Sequence, residues 1–98
     1  MKYGNKFSGG FHSRKEHKRA EDLKLLEKIG AISELKFQVK FEVIPACKPE
    51  RAAHYIADFV YNEGSKRIVE DCKGFKTPDY ILKRKLMLFR YGISIKET

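Results

Sequence analysis

Two aspartates and a lysine within the stretch His54–Lys73 are the residues of this chain best placed to do chemistry. Two apolar runs, at 55–61 and 67–73, flank the polar break Asn62-Glu63-Gly64-Ser65, a pattern that predicts a β-hairpin. Folding about this break places Asp58 opposite Asp71. Side chains alternate along a strand, so Asp71 and Lys73 share one face. Two carboxylates and one ammonium at one point could hold a divalent metal against a phosphate.

The two faces of the predicted hairpin differ in polarity. Asp58 interrupts an otherwise apolar face, where a polar side chain is costly unless it is paired or metal-bound. A plain Asp–Lys salt bridge at the end of the sheet is the alternative explanation. Glu70 projects to the face opposite Asp71 and is a weaker candidate. Strict alternation predicts one face with Tyr55, Ala57, Phe59 and Tyr61, and the other with Ile56, Asp58 and Val60.

The segment Ser13–Ile29 predicts a first helix. Ser13 followed by Glu16 fits a capping box, and Gly30 suits the residue beyond the C-terminus. Glu16 lies on the core-facing side of the first turn, so two roles stay open. It either caps its own helix or supplies an inward-facing functional carboxylate. The predicted apolar stripe consists of Ala20, Leu23, Leu26 and Ile29, with Leu25 broadening it.

The remaining elements complete an α-β-β-β-α-β order. Alternation of Phe37, Val39, Phe41 and Val43 predicts a half-buried strand, whose Gln38 and Lys40 either touch substrate or form an exposed face. Thr77 as N-cap and Pro78 after it predict a second helix that ends near Tyr91. Its predicted apolar anchors are Ile81, Leu82, Leu86 and Phe89, and a short last strand is predicted at Ile93-Ser94-Ile95. The fold class is therefore α/β, with a central mixed sheet flanked by helices.

Four sequence blocks carry a resemblance to a known family. They are KYGNK at 2–6, SRKE at 13–16, YIADF at 55–59 and VEDCKGFKT at 69–77. These blocks are similar to a small family of phage and prophage proteins of unknown function that is placed in the PD-(D/E)XK nuclease superfamily. Asp58 followed by Asp71-Cys72-Lys73 resembles the superfamily signature, although Ala57 stands where the motif name has Pro.

The resemblance implies a PD-(D/E)XK core and a metal-dependent endonuclease that hydrolyses phosphodiester bonds in DNA. It implies that Asp58 and Asp71 bind Mg²⁺, with Mn²⁺ able to substitute. Glu16 would complete the site or hold a second ion, and Lys73 would orient the attacking water. Similarity to phage resolvases implies branched DNA such as a Holliday junction, cut by a homodimer during phage recombination.

The charge of the chain supports a polyanionic partner. Twenty-one Lys and Arg against thirteen Asp and Glu give a formal net charge of +8, which favours nucleic acid or an anionic surface. Two basic clusters flank the candidate site and are expected to contact phosphates, although solvated helix faces would explain them as well. They comprise Arg14, Lys15, Lys18, Arg19, Lys76 and Lys83.

Length and composition limit the number of domains and the classes of protein to which this chain could belong. The 98 residues predict a single domain over 13–98, preceded by a flexible basic arm over 1–12. No apolar run approaches the roughly 18 residues needed to span a bilayer, and two cysteines suggest neither a disulfide framework nor a zinc site. A reducing cytoplasmic setting without a membrane is therefore expected. A DNA-binding accessory protein without cleavage, or a protein-interaction module, are the alternative functions.

Overall fold

The computed structural model describes residues 13–98, which form two helices and a four-stranded sheet in the order α-β-β-β-α-β. The sheet order is β1-β2-β3-β4, with antiparallel β1–β2 and β2–β3 pairs and a parallel β3–β4 pair. The predicted α/β class and mixed sheet are thus confirmed. Neither described helix is long and apolar enough to cross a membrane. The elements are α1 Arg14–Lys28, β1 Ser33–Ile44, β2 Ala53–Glu63, β3 Lys66–Asp71, α2 Pro78–Tyr91 and β4 Lys96–Glu97.

The arm predicted for residues 1–12 lies outside the described residues. The helix that follows it begins as the sequence indicates, because the Ser13 hydroxyl accepts a hydrogen bond from the Glu16 backbone N–H at 3.0 Å. Ile29 is the C-cap and Gly30 adopts φ +84°, so both predicted ends of α1 are correct to one residue. Glu16, Ala20 and Leu23 are buried at the spacing of one helix face.

The predicted apolar stripe on α1 is too wide. Leu25 is 60% exposed and Ile29 is 69% exposed. Leu25 follows Leu23 by two positions, which turns it well away from the buried face. Ile29 lies beyond the last helical residue, in non-helical conformation, so helical periodicity no longer applies to it.

Two apolar clusters cover opposite faces of the sheet. On the α1 face, Ala20 and Leu23 pack with side chains that include Phe59 and Tyr61. On the α2 face, the buried cluster comprises Phe41, Val43, Tyr55, Ala57, Val60, Val69, Tyr80, Met87 and Ile95. Each helix therefore buries one apolar side against one face of the sheet, which is the layered arrangement expected of an α/β fold.

The prediction that Tyr55, Ala57, Phe59 and Tyr61 share one face of β2 is wrong. Tyr55 and Ala57 pack on the α2 face, whereas Phe59 and Tyr61 pack on the α1 face. The alternation of β2 therefore shifts by one position at Asp58, the residue between the two sets.

The paired strand β1 changes face at the matching position. Val39 packs on the α2 face and Phe37 on the α1 face. Between them, Gln38 adopts φ +53°, a left-handed conformation that is uncommon for a residue with a side chain. Because the residues on either side stay in register, with Phe37 opposite Phe59 and Val39 opposite Ala57, both strands switch face together.

The second helix has the predicted ends but a different buried side. The Thr77 hydroxyl accepts from the Tyr80 backbone N–H at 3.1 Å, and Gly92 follows the helix at φ +67°. Tyr80 and Met87, seven positions apart, are the buried residues. Leu82 and Phe89 were expected to anchor the helix but are 56% and 88% exposed. Apolar residues occur on several sides of α2, so periodicity alone does not determine which side faces the sheet.

The last strand, Lys96–Glu97, begins directly after the three residues predicted to form it, 93–95. Ile95 is buried in the α2-face cluster, and the pairing with β3 begins at Lys96. The hydrogen bonding continues past the strand, because the Thr98 N–H donates to the Asp71 carbonyl at 3.0 Å. The Lys73 N–H in turn donates to the Thr98 carbonyl at 3.3 Å. The end of the chain thus holds the backbone on both sides of Cys72.

Met87→Ala is expected to lower the free energy of unfolding by about 2–5 kcal/mol, because it leaves a cavity in a fully buried part of the core. Leu88→Ala is the matched control, since Leu88 is the next residue and is 56% exposed. Its loss should stay below about 1 kcal/mol. Urea unfolding of both variants measures the difference. Equal losses would mean that the helix presents a different side to the sheet.

Candidate active site

Asp58 and Asp71 lie side by side at the point where β2 and β3 separate. The register that pairs Phe59 with Glu70 places Asp58 opposite Asp71 one position further along. The Asp58 Oδ2 accepts a hydrogen bond from the Cys72 N–H at 2.9 Å. This bond fixes the Asp58 carboxylate beside the backbone that carries Asp71, as the hairpin pattern predicted.

The Asp71 carboxyl is buried, with 1% of the residue exposed. Burial and the neighbouring Asp58 carboxylate together raise the pKa of Asp71 to about 7, and the Lys73 ammonium opposes this rise. The Asp71 Oδ2 and the Tyr55 hydroxyl are buried and lack hydrogen-bond partners within residues 13–98. Burial and the charge of Asp71 also raise the pKa of Tyr55. The fold therefore places two carboxyl groups together and leaves one of their oxygens without a hydrogen-bond donor among residues 13–98.

Lys73 is the nearest cation to this pair of acids within the described residues. Its Nζ lies 3.3 Å from the Asp71 Oδ2, outside hydrogen-bonding geometry, and 4.6 Å from the centre of the Tyr80 ring. A cation over an aromatic face is attracted to it, so Tyr80 helps to hold the ammonium. Asp71 and Lys73 thus lie on the same face, as predicted, and the Lys73 side chain stays 31% exposed.

Glu16 approaches the site from α1. The residue is 4% exposed, and its Oε2 accepts a hydrogen bond from the Gln38 Nε2 at 3.2 Å. The expectation that Glu16 faces inward with Ala20 and Leu23 is confirmed. Its backbone N–H serves the helix cap, while its carboxylate is directed to the sheet.

Cys72 packs on the α1 face of the sheet. Burial raises the pKa of its thiol, the Lys15 ammonium opposes the rise, and the Asp58 and Glu16 carboxylates add to it. Of the four residues predicted to be catalytic, the structure brings Asp58, Asp71 and Lys73 together. The fourth, Glu16, is joined through Gln38 to the strand next to Asp58.

Asp58 and Asp71 are the carboxylates that could bind a divalent cation. Within residues 13–98, no three or more His, Cys, Asp or Glu side chains are spaced, as they stand, to hold a metal ion. Mg²⁺, however, is often bound by only one or two carboxylates, with water and substrate phosphates as its other ligands. Asp58 and Asp71 offer oxygen ligands of this kind, and the Asp71 Oδ2 lacks a hydrogen bond. The residues thus fit a two-carboxylate site, and Mg²⁺ or Mn²⁺ binding stays a prediction.

The six basic residues predicted to contact phosphates fall into two groups. Arg14 and Lys15 are exposed on the first turn of α1, close to Glu16. The other four make ion pairs within the chain: Lys18 with Asp22, Arg19 with Glu70, Lys76 with Glu97 and Lys83 with Asp79. The Lys18, Lys76 and Lys83 pairs are partly exposed, at N–O distances of 3.4–3.7 Å, and are weak enough for a phosphate to compete. Arg19 is held more firmly.

Glu70 receives four hydrogen bonds on the α1 face. Arg19 donates from Nε at 2.6 Å and from Nη2 at 3.0 Å, and hydroxyls of Tyr61 and Thr98 donate at 2.6 and 3.0 Å. Burial favours the neutral acid, but these donors outweigh it and hold the pKa of Glu70 below its usual range. Sequence reasoning placed Glu70 on this face but missed its partners. An acid at a buried strand position signals that cations or hydroxyls must lie opposite.

Nearly the whole chain matches a known family. The family described as a protein of unknown function (DUF1064) matches residues 4–97, nearly the whole chain. This chain belongs to DUF1064. Searches of curated proteins and of solved structures gave no match. Membership in a family of unknown function, predicted from the four sequence blocks, is confirmed, but the DUF1064 match assigns no chemistry and no origin.

Asp71→Asn in this DUF1064 chain is expected to raise the free energy of unfolding at pH 8 by about 1–3 kcal/mol, since one pKa unit corresponds to about 1.4 kcal/mol. The folded-state pKa of about 7 exceeds the ordinary 3.8. The folded protein therefore takes up a proton more readily, and the wild type loses stability as pH rises from about 4 to about 7. Asn does not titrate, so the gain should be smaller at pH 5.

Urea unfolding in chelator at both pH values measures this gain. Asp22→Asn is the control, because the Asp22 side chain is 48% exposed and makes only an i,i+4 ion pair. Its effect should be small and nearly independent of pH. An Asp71→Asn variant that is equally destabilised at pH 5 and pH 8 would contradict the raised pKa.

Glu70→Gln is expected to lower the free energy of unfolding by about 2–4 kcal/mol, because an amide N–H₂ would face donors and leave Arg19 without its charge partner. Glu97→Gln is the matched control. Glu97 also accepts from a tyrosine hydroxyl, that of Tyr80, and from an arginine, Arg84, but 26% of its side chain is exposed, against 0% for Glu70. Its loss should stay below about 1 kcal/mol. Thermal or urea unfolding measures both losses. Equal losses in the two variants would contradict the idea that the burial of Glu70 makes its contacts more important for stability than those of Glu97.

Proposed function

We propose that this DUF1064 chain is a metal-dependent endonuclease that hydrolyses phosphodiester bonds in DNA. The observation that carries the proposal is the Asp58–Asp71 pair, two adjacent carboxylates of which one is buried, has an oxygen without a hydrogen bond among residues 13–98, and lies 3.3 Å from the Lys73 ammonium. Acids held together in this way, next to a lysine, are typical of sites that bind a cation and a phosphate. The resemblance of Asp58 and Asp71-Cys72-Lys73 to the PD-(D/E)XK signature supports the same reaction.

Each side chain then has a role that follows from its position. Asp58 and Asp71 would hold the Mg²⁺ or Mn²⁺ ion. When bound, this ion supplies a water of lowered pKa and offsets negative charge at the phosphate. The Lys73 ammonium, 31% exposed, has donors available to orient the attacking water or a phosphate oxygen. Glu16, directed to the sheet by its hydrogen bond with Gln38, would complete the site by accepting a hydrogen bond from bound water or by binding a second ion.

The proposed substrate is branched DNA such as a Holliday junction, with a homodimer supplying two sites. The net charge of +8 supports a nucleic acid, because phosphate contacts release counterions. Arg14 and Lys15 are exposed beside Glu16, and Lys76 and Lys83 lie on the α2 side of the site. Resemblance to phage resolvases supports the junction and the role in phage recombination.

Purified protein is expected to cut four-way-junction DNA in Mg²⁺ or Mn²⁺ and not in chelator. Asp71→Ala and Lys73→Ala should each reduce the rate at least about 100-fold, because each removes a group that acts on the reacting phosphate or water. Asp22→Ala is the control and should retain full activity, since Asp22 lies on the exposed side of α1. Linear and nicked DNA of the same sequence test the preference for structure.

Full activity of Asp71→Ala would overturn the assignment of the site. Cleavage of linear DNA at the same rate as the junction would retain the nuclease and reject the branched substrate. Binding that weakens linearly with salt on logarithmic axes, without cleavage under any metal condition, would reject the enzyme and leave a DNA-binding protein.

A further inference from the structure

Gln38 has a left-handed backbone conformation in the middle of a long strand. It lies within the 12-residue strand β1 at φ +53°, a region that favours glycine and is costly for a longer side chain. The register around it is regular, with Phe37 opposite Phe59 and Val39 opposite Ala57. An inserted residue in β1 therefore does not explain the conformation of Gln38.

Glu34 provides the contrast within the same strand. It also has a left-handed conformation, at φ +55°, but it lies where the register shifts between Ser33 and Lys36. An irregularity of this kind commonly places one residue in left-handed conformation, so the pairing accounts for Glu34. At Gln38 the register stays regular and the left-handed conformation coincides with the point where β1 and β2 change face, and backbone strain of this kind is often found at functional sites.

The left-handed conformation determines where the Gln38 side chain points. Phe37 packs on the α1 face and Val39 on the α2 face, so alternation counted from Phe37 directs Gln38 to the α2 face and alternation counted from Val39 directs it to the α1 face. Gln38 takes the second direction and reaches the α1 side, where its Nε2 donates to the Glu16 Oε2 at 3.2 Å. The unusual φ thus gives the buried Glu16 carboxylate an amide donor from the sheet.

The same position aligns Gln38 with the two aspartates. The β1–β2 register places Gln38 across from Asp58, and the β2–β3 register places Asp58 across from Asp71. The three residues thus form a row across adjacent strands, with Glu16 above its β1 end. An amide at the end of this row can orient Glu16 without adding another charge.

We infer that Gln38 is a positioning residue of the proposed nuclease site, and that it orients the Glu16 carboxylate from the strand position across from Asp58. The inference rests on the proposed function. It assigns Gln38 no contact with the reacting atoms, since the amide acts through Glu16.

Gln38→Gly separates the backbone from the side chain. Glycine accepts φ +53° without strain, and this relief opposes the loss of the hydrogen bond to Glu16, so the melting temperature should stay close to that of the wild type. Loss of the amide should lower the rate of DNA cleavage on the order of 10- to 100-fold, the usual effect of removing a group that orients a metal-site residue. Mn²⁺ affinity, measured by calorimetry without DNA, should fall as well.

Two further variants complete the comparison. Glu34→Gly relieves the same backbone conformation in the same strand but removes no group from the site, so its cleavage and Mn²⁺ affinity should match the wild type. Gln38→Asn keeps an amide and tolerates left-handed backbone, but it is one methylene shorter. It should remain stable and still lose activity, because the amide no longer reaches Glu16.

The double variant Glu16→Gln, Gln38→Gly tests whether Gln38 acts through Glu16. The double variant should be no slower than Glu16→Gln alone, because the amide then has no carboxylate to hold. Multiplied effects in the double variant, or a Gln38→Gly protein with wild-type cleavage and Mn²⁺ affinity, would overturn the inference and leave the nuclease proposal intact. A wild-type protein that neither cuts DNA nor binds Mn²⁺ would overturn both.

Discussion

The buried Glu70 carboxylate is the contact on which the arrangement of this protein depends. Its four donors come from α1, from β2 and from the residue after β4, so one side chain of β3 joins these parts of the fold. Arg19 lies one helical turn after Glu16, and Asp71 directly follows Glu70. The ion pair between Arg19 and Glu70 therefore also determines how close Glu16 lies to the acids of the candidate site. Stability and the geometry of the site are coupled through this contact.

Glu70 and Asp71 show how adjacent residues of one strand can have opposite electrostatics. Both are buried acids. Hydrogen bonds keep the pKa of Glu70 low on the α1 face, whereas burial and Asp58 raise that of Asp71 on the α2 face. The fold gives Glu70 four hydrogen bonds, whereas the Asp71 Oδ2 accepts none within residues 13–98 and has the partly exposed Lys73 ammonium 3.3 Å away. A carboxylate oxygen without hydrogen-bond donors has more affinity for a metal cation than a carboxylate that four donors already neutralise.

The order of the elements and the helix ends could be predicted because they follow from local signals such as Ser13, Thr77 and Gly92. The meeting of Asp58 with Asp71 could be predicted as well, since a hairpin with a short turn determines its own register. The shift of alternation at Gln38 could not be predicted, because it depends on a residue in left-handed conformation, which the hydrophobic pattern does not indicate. The buried side of α2 and the partners of Glu70 depend on contacts between distant segments, which periodicity does not encode.

The left-handed residues of β1 have a consequence for how this protein behaves in a crowded solution. β1 forms one edge of the described sheet, and a long edge strand exposes N–H and C=O groups that can pair with another molecule. Glu34 and Gln38, four positions apart, interrupt the extended backbone along this edge. A straight strand from another chain could therefore pair with only short portions of β1. The backbone that orients an amide towards Glu16 thus also protects the sheet against intermolecular extension and aggregation.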